Sequence, residues 1–86
     1  MTYAIKLHPK VHKFLEKLDN QISLLIKKRL KLLMDDNPFR FLEHYESEDC
    51  YKFRAGEYRA LVDVDQNKKI IFIRVLDHRS QIYKRK

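Results

Sequence analysis

The stretch that decides the fold is Cys50-Tyr-Lys-Phe-Arg-Ala-Gly-Glu-Tyr-Arg59, which contains the only glycine of the chain. On both sides of that glycine, aromatic or small residues alternate with cations, and a β-strand has the same period of two. The pattern predicts a hairpin with the two-residue loop Gly56-Glu57, in which Ala55 pairs with Tyr58. Glycine at the first loop position suits a type II′ turn.

The cations of this hairpin are predicted to share one face of a sheet. Arg54 lies opposite Arg59, and Lys52 lies two residues before Arg54 on the same strand. Side chains at such positions point to the same side, so Tyr51 and Phe53 should be buried on the other side. Three like charges on a small surface repel one another. The arrangement therefore predicts an anionic ligand, and phosphate is the natural candidate.

Length and composition describe one small domain over residues 1–86. The net charge of +7 favours nucleic acid, an anionic membrane surface or an acidic protein as partner. No apolar run approaches the roughly 18 residues that span a membrane, and the start lacks the features of a signal peptide. With Cys50 as the only cysteine, no internal disulfide forms, which suits the cytoplasm. The charged fraction of 36% is a trait of heat-adapted proteins.

The order of predicted elements indicates an α+β fold. A strand is followed by two amphipathic helices, a break at Asn37-Pro38, a loop and three further strands. The N-terminal strand and the helical hairpin should pack on one face of a small, mostly antiparallel sheet. The predicted ranges are 2–7 for the first strand, 9–19 and 20–35 for the helices, 38–48 for the loop, and 49–55, 58–65 and 69–76 for the later strands.

The second hairpin decides whether a further arginine joins the cationic face. A tight loop at Gln66-Asn67 would pair Asp65 with Lys68 and place Arg59 opposite Arg74. On that register Arg74 is a candidate RNA contact.

Several kinds of site are excluded by what the sequence lacks. One glycine rules out a glycine-rich phosphate loop, and no CxxC or HExxH pattern is present. We therefore expect neither a metal nor any other cofactor.

Cleavage of RNA without a metal remains open to this chain. The 2′-hydroxyl must lose a proton, the phosphorane must be stabilised, and the leaving 5′-oxygen must gain a proton. Arginines stabilise the developing charge, and a tyrosine such as Tyr83 can donate a hydrogen bond or exchange a proton. A lysine crowded by cations has a lowered pKa, so Lys52 is a candidate base.

The whole chain resembles the RelE/ParE superfamily of toxin–antitoxin toxins, and specifically its RelE branch. The resemblance covers the element order and three short pieces: Tyr51-Lys-Phe-Arg54, Gly56-Glu-Tyr-Arg59 and Val75-Leu-Asp-His-Arg79-Ser-Gln-Ile-Tyr83. It implies a RelE-like fold and a toxin that enters the ribosomal A site, cleaves the mRNA there and inhibits translation.

The resemblance also implies roles for individual residues. Lys52 matches a lysine proposed as base or charge stabiliser, and Arg54 stands where some relatives have lysine. Arg59 matches an arginine that contacts the phosphate, and Arg79 one that stabilises charge or assists the leaving group. Tyr83 matches a tyrosine that stacks on a base. His78 stands where other branches use histidine in acid–base work, and the basic tail adds two candidate RNA contacts, Lys84 and Arg85.

Partners and alternatives follow from the same resemblance. It implies a cognate antitoxin, and the basic outer face of the second helix, with Leu24, is a candidate docking surface. Leu25 is assigned instead to the buried stripe of that helix. The alternative function is that of a ParE-like toxin, which binds and poisons DNA gyrase without nuclease activity. A third interpretation is an inactive relative that only binds RNA or an acidic protein.

Overall fold

The computed structural model describes residues 2–35 and 37–84, and within them two helices pack against a five-stranded sheet. The strands lie in the order β1-β5-β4-β3-β2, with β1 parallel to β5 and every other pair antiparallel. This is the predicted α+β architecture. The strands are β1 (Ala4–Leu7), β2 (Leu42–Tyr45), β3 (Cys50–Ala55), β4 (Tyr58–Asp65) and β5 (Ile70–His78), and the helices are α1 (Pro9–Lys17) and α2 (Asn20–Asp35).

Local capping sets where the two helices begin. Pro9 opens α1, where its missing N–H costs no hydrogen bond, and His8 Nδ1 accepts from the Lys10 backbone N–H at 3.1 Å. Asp19 caps α2 in the same way, its Oδ1 accepting from the Gln21 N–H at 2.9 Å. The two helices therefore follow one another with almost no linker.

The main core lies between the helices and one face of the sheet. Phe53 of β3 is only 2% exposed there, and Tyr51 and Tyr58 are partly buried against the same cluster. The helices thus pack on the predicted face. The most completely buried members are Val11, Ile26, Leu33, Phe53, Ala55, Ala60, Val62, Ile71 and Ile73.

The β3–β4 hairpin has the predicted register. Ala55 pairs with Tyr58, and Arg54 pairs with Arg59 across the Gly56-Glu57 loop. Gly56 has a φ of +61°, a left-handed conformation that glycine adopts without strain. A Cβ at this position would lie 3.2 Å from Leu25 Cδ2, so α2 also leaves little room for a side chain.

The predicted register of the β4–β5 hairpin is wrong. The connection has four residues, 66–69, and Asp65 pairs with Ile70 rather than Lys68. Asp65 Oδ1 accepts hydrogen bonds from the N–H groups of Asn67 and Lys68, both at 3.0 Å, which stabilises the longer turn. A bulge beside Leu61 and Val62 shifts the register again, so Arg59 lies opposite Asp77 and not opposite Arg74.

The segment 38–48, predicted to be a loop, contains the edge strand β2. Its four residues pair with β3, which places Glu43 opposite Lys52 and Tyr45 opposite Cys50. A strand this short between two turns of 3₁₀ helix shows too little alternation to be recognised from sequence.

A second, smaller core lies on the face of the sheet that the helices leave uncovered. The chain returns over this face after β5 and forms a 3₁₀ turn at Ile82–Lys84. Ile82 is fully buried there with Cys50 and Leu61, and Tyr45 and Val75 pack around them. This face is therefore partly covered by the C-terminal segment, and not open throughout as expected.

Candidate functional site

A groove of about 440 Å³ lies beside the start of β2, on the face opposite the helices, and reaches round to Arg29 in the middle of α2. Residues from α2, the segment before β2, the strands β2, β3 and β4, and the C-terminal turn contribute to it. We call it the cationic groove, because five of its nine lining residues are cations. These residues are Arg29, Arg40, Phe41, Leu42, Glu43, Lys52, Arg54, Arg59 and Tyr83.

Lys52 lies in the groove among groups that favour its charged form. Its Nζ is 2.9 Å from Glu43 Oε1 and lies over the rings of Tyr45 and Tyr83, 5.4 and 5.8 Å from their centroids. The hydrogen bond to Glu43 raises the pKa of Lys52 above its usual value. The expected lowering of this pKa by neighbouring arginines is therefore wrong, because the sequence did not reveal Glu43 as a partner.

The two arginines of the hairpin differ in how firmly they are held. Arg59 Nη1 donates to the carbonyl oxygens of Gly56 at 2.7 Å and Tyr58 at 2.9 Å, so its guanidinium is fixed against its own loop. Arg54 is exposed and has no hydrogen-bond or ion-pair partner in the described part of the chain. One arginine is thus already oriented, and the other is available to a ligand.

Tyr83 forms one wall of the groove. Its ring packs on that of Tyr45 with centroids 5.3 Å apart, and 41% of the residue remains exposed. The neighbouring Ile82 is fully buried and anchors the turn that carries it. A planar ligand can therefore stack on the exposed side of Tyr83 while its charged part contacts the cations.

Two of the predicted site residues lie outside the groove. Arg74 forms an ion pair with Asp63, Nε to Oδ2 at 3.5 Å, and lines a separate groove between β5 and α1. Arg79 pairs with Glu57 at the tip of the first hairpin, Nε to Oε2 at 2.9 Å. Both contacts hold a cation that the sequence treated as free.

The remaining candidates are placed as follows. His78 pairs with Tyr58 on the helix-covered face, with ring centroids 5.5 Å apart, and its Nδ1 lies 2.9 Å from Ser80 Oγ. It therefore does not face the cationic groove. Lys84 is exposed at the end of the C-terminal turn, and Arg85 lies outside the described residues.

Sequence reasoning missed three charged residues of the groove: Arg29, Arg40 and Glu43. Arg29 lies on α2 with its guanidinium 5.9 Å from the Phe53 ring, and no periodic pattern relates it to β3. Recognition of β2 would have revealed Glu43, since the strand register alone pairs it with Lys52.

In residues 2–35 and 37–84, no cluster of three or more His, Cys, Asp or Glu side chains is placed to bind a metal ion. Neither described helix has the length and apolar character needed to cross a membrane.

The fold is similar to those of solved RelE-type toxins. The crystal structure of the RelBE2 toxin–antitoxin complex from Mycobacterium tuberculosis matches with a TM-score of 0.80 at 22% identity, covering 91% of this chain and 99% of that one. The archaeal RelE–RelB complex from Pyrococcus horikoshii OT3 matches with a TM-score of 0.74 at 26% identity, covering 94% of this chain and 99% of that one. The isolated RelE toxin from E. coli matches with a TM-score of 0.73 at 20% identity, covering 88% of this chain and 83% of that one.

Sequence comparison supplies the family. A search of curated protein sequences found no significant match. The model of the family described as ParE toxin of type II toxin–antitoxin system, parDE, matches residues 5–83. The match includes both helices, the turn with Tyr83 and the whole sheet except its first residue. The chain therefore belongs to the ParE toxin family of type II toxin–antitoxin systems, within the RelE/ParE superfamily.

Proposed function

We propose that this toxin is a metal-independent endoribonuclease that cleaves mRNA in the ribosomal A site and thereby inhibits translation. The 2′-hydroxyl of one nucleotide attacks the adjacent phosphate, and the bond to the 5′-oxygen breaks. The observation that carries this proposal is the cationic groove, in which five cations line a space of about 440 Å³ next to an exposed tyrosine ring.

The arginines suit the charge that develops on the phosphate during this reaction. Arg59 is held by two carbonyl oxygens and needs little reorganisation when the phosphorane forms. Arg54 is exposed, and its planar guanidinium matches two phosphate oxygens at once. Lys52 adds a fixed positive charge rather than a base, because its interactions favour the ammonium form.

Tyr83 suits a single-stranded substrate. Stacking on an aromatic side chain is worth about 1–3 kcal/mol per base and does not depend strongly on which base is present. Its contact with Tyr45 fixes the ring, and its position beside Lys52 brings a stacked base close to the cations. An mRNA strand would thus be held by one base and the neighbouring phosphate.

The cations outside the groove have supporting roles in this proposal. Arg79 reaches the leaving oxygen only if RNA displaces Glu57 from its guanidinium. Arg74, Lys84 and Arg85 would contact the RNA backbone on either side of the cleaved bond, by charge alone.

A cognate antitoxin in the cytoplasm is the proposed protein partner. The similar structures from M. tuberculosis and P. horikoshii are complexes of RelE-type toxins with their antitoxins. The net charge of +7 favours an acidic segment, and α2 exposes the side chains of Leu24 and Leu25 by 50% and 46%. Leu25 was predicted to be buried, so the apolar part of this candidate surface is larger than expected.

A gyrase poison is the second candidate, because the matching family is described by the name ParE. Such a toxin has no need of a phosphate-binding groove with a stacking ring, which is why we prefer the nuclease.

Induced expression followed by primer extension separates the two functions. The nuclease leaves mRNAs cut within translated reading frames, and the cuts disappear when ribosomes are prevented from initiating. Intact messages together with inhibited supercoiling by purified gyrase would establish the second candidate instead.

A further inference from the structure

The proposed cleavage needs a group that accepts the proton of the attacking 2′-hydroxyl. Arginines do not serve, since they stay protonated in proteins. Lys52 is held as an ammonium ion by Glu43 and two aromatic rings, and His78 lies on the other face of the sheet. Of the groups that line the described groove, a carboxylate and the phenol of Tyr83 remain.

Glu43 supplies that carboxylate. It is the one acidic residue among the nine that line the groove, and its side chain is 76% exposed. Its Oε1 accepts from Lys52 Nζ, while Oε2 has no partner in the described part of the chain. The hydrogen bond from Lys52, followed by the charges of Lys52 and Arg54, lowers the pKa of Glu43, so the group is ionised at neutral pH.

Strand pairing fixes where the carboxylate sits. Glu43 lies opposite Lys52 on adjacent strands, and Lys52 lies two residues from Arg54 on β3. A phosphate bound between Lys52 and Arg54 would therefore have the carboxylate beside it, on the side of the edge strand. The hydroxyl of Tyr83 already carries a proton that it can donate, so the carboxylate is the better acceptor of this proton.

We propose that the Glu43 carboxylate accepts the proton of the attacking 2′-hydroxyl. This inference rests on the proposed nuclease function. The O–H bond breaks and the proton passes to Oε2. The 2′-oxygen uses its electron pair to form a bond to phosphorus, and the bond from phosphorus to the 5′-oxygen breaks. The products are a 2′,3′-cyclic phosphate and a 5′-oxygen that takes a proton from water. Lys52 holds the Glu43 carboxylate in place and itself remains charged.

A simple counter-ion role for Glu43 makes the opposite prediction. If the carboxylate only balanced the cations, its removal would strengthen the attraction of the groove for RNA, and cleavage would be equal or faster. If it accepts the proton, its removal strengthens or preserves binding but slows the chemical step. Affinity and rate therefore separate the two roles.

The test measures single-turnover cleavage of mRNA on programmed ribosomes at saturating toxin, together with toxin affinity. We expect Glu43→Gln to bind as tightly as the wild type or more tightly and to cleave about 10²–10⁴ times more slowly, the usual range for loss of a general base. Glu46→Gln is the matched control, because Glu46 is an exposed glutamate that follows β2 and lies outside the groove. It should cleave at the wild-type rate.

Chemical rescue distinguishes a proton acceptor from a structural contact. Glu43→Ala leaves space for a small carboxylate, so added formate should restore part of its cleavage, while chloride at the same ionic strength should not. Undiminished cleavage by Glu43→Gln, or a loss of cleavage in Glu43→Ala that formate does not relieve, overturns the role of Glu43 as proton acceptor. In either case, cleavage by the wild type still supports the proposed nuclease function. Absence of cleavage by the wild type removes both.

Discussion

Replacing Ile82 by alanine should release the C-terminal turn, so that the ring of Tyr83 no longer packs against Tyr45. Ile82 is the only large side chain of that turn that is fully buried, between Cys50 and Leu61. Truncation of a buried isoleucine to alanine costs about 2–5 kcal/mol when the protein cannot relax. Here the chain can relax, because Ile82 is the one buried side chain among residues 80–84, which follow the contacts of Arg79 with Glu57. We therefore expect local detachment, with a smaller loss of global stability than that range.

Hydrogen exchange and cleavage together check this prediction. The amide of Lys84 donates to Gln81 O at 3.0 Å, and its exchange should accelerate in Ile82→Ala while the amides of β4 and β5 stay protected. Cleavage should fall to the level of Tyr83→Ala, since the ring is no longer held against Tyr45. Ile82→Val, which costs about 0.5–1.5 kcal/mol, is the conservative control and should retain most of the activity. Native exchange at Lys84 together with native cleavage in Ile82→Ala would show that Ile82 does not hold the turn in place.

Three further predictions concern the groove and its hairpin. Tyr83→Phe should cleave faster than Tyr83→Ala in the ribosomal assay, because the ring alone can stack on a base; equal and severe loss in both would point to the hydroxyl instead. Gly56→Ala should lower the free energy of unfolding in a urea titration by about 1–2 kcal/mol, because alanine is strained at a positive φ; an unchanged midpoint would contradict this. Since the pKa of Lys52 is raised, its contribution to stability is lost only as the pH rises through a value above 10.5, and that of Glu43 only as the pH falls below 4.5. Nuclear magnetic resonance of the Lys52 side chain should accordingly show no titration between about pH 6 and 9, and a midpoint inside that range would restore Lys52 as a candidate base.

The hairpin around Gly56 was predictable because local rules suffice for it. One glycine, a two-residue loop and strict alternation leave a single register, and that register places Arg54 opposite Arg59. The same stretch also predicted which face the helices would cover. One hairpin, the face that the helices cover and part of the site therefore follow from ten residues.

The parts that sequence reasoning missed depend on contacts between distant segments. The β4–β5 register is set by the Asp65 carboxylate in the turn and by a bulge, and neither changes the alternation visible in the sequence. The pairing of Glu43 with Lys52 depends on β2, which is too short to show a period. Without that strand, Lys52 seemed to have only cations as neighbours, and the direction of its pKa shift was inferred with the wrong sign.

Single-turnover cleavage of ribosome-bound mRNA by Arg59→Ala is the most direct test of whether the cationic groove cleaves RNA. Circular dichroism must first show that the fold persists, because Arg59 also binds two carbonyl oxygens of its own hairpin. Lys68→Ala removes one charge from an exposed turn outside the groove and is the control. We expect wild-type cleavage in Lys68→Ala and a loss of about 10²–10³ in rate for Arg59→Ala, as for other preorganised groups at developing charge. Equal cleavage by a folded Arg59→Ala and the wild type would contradict this expectation.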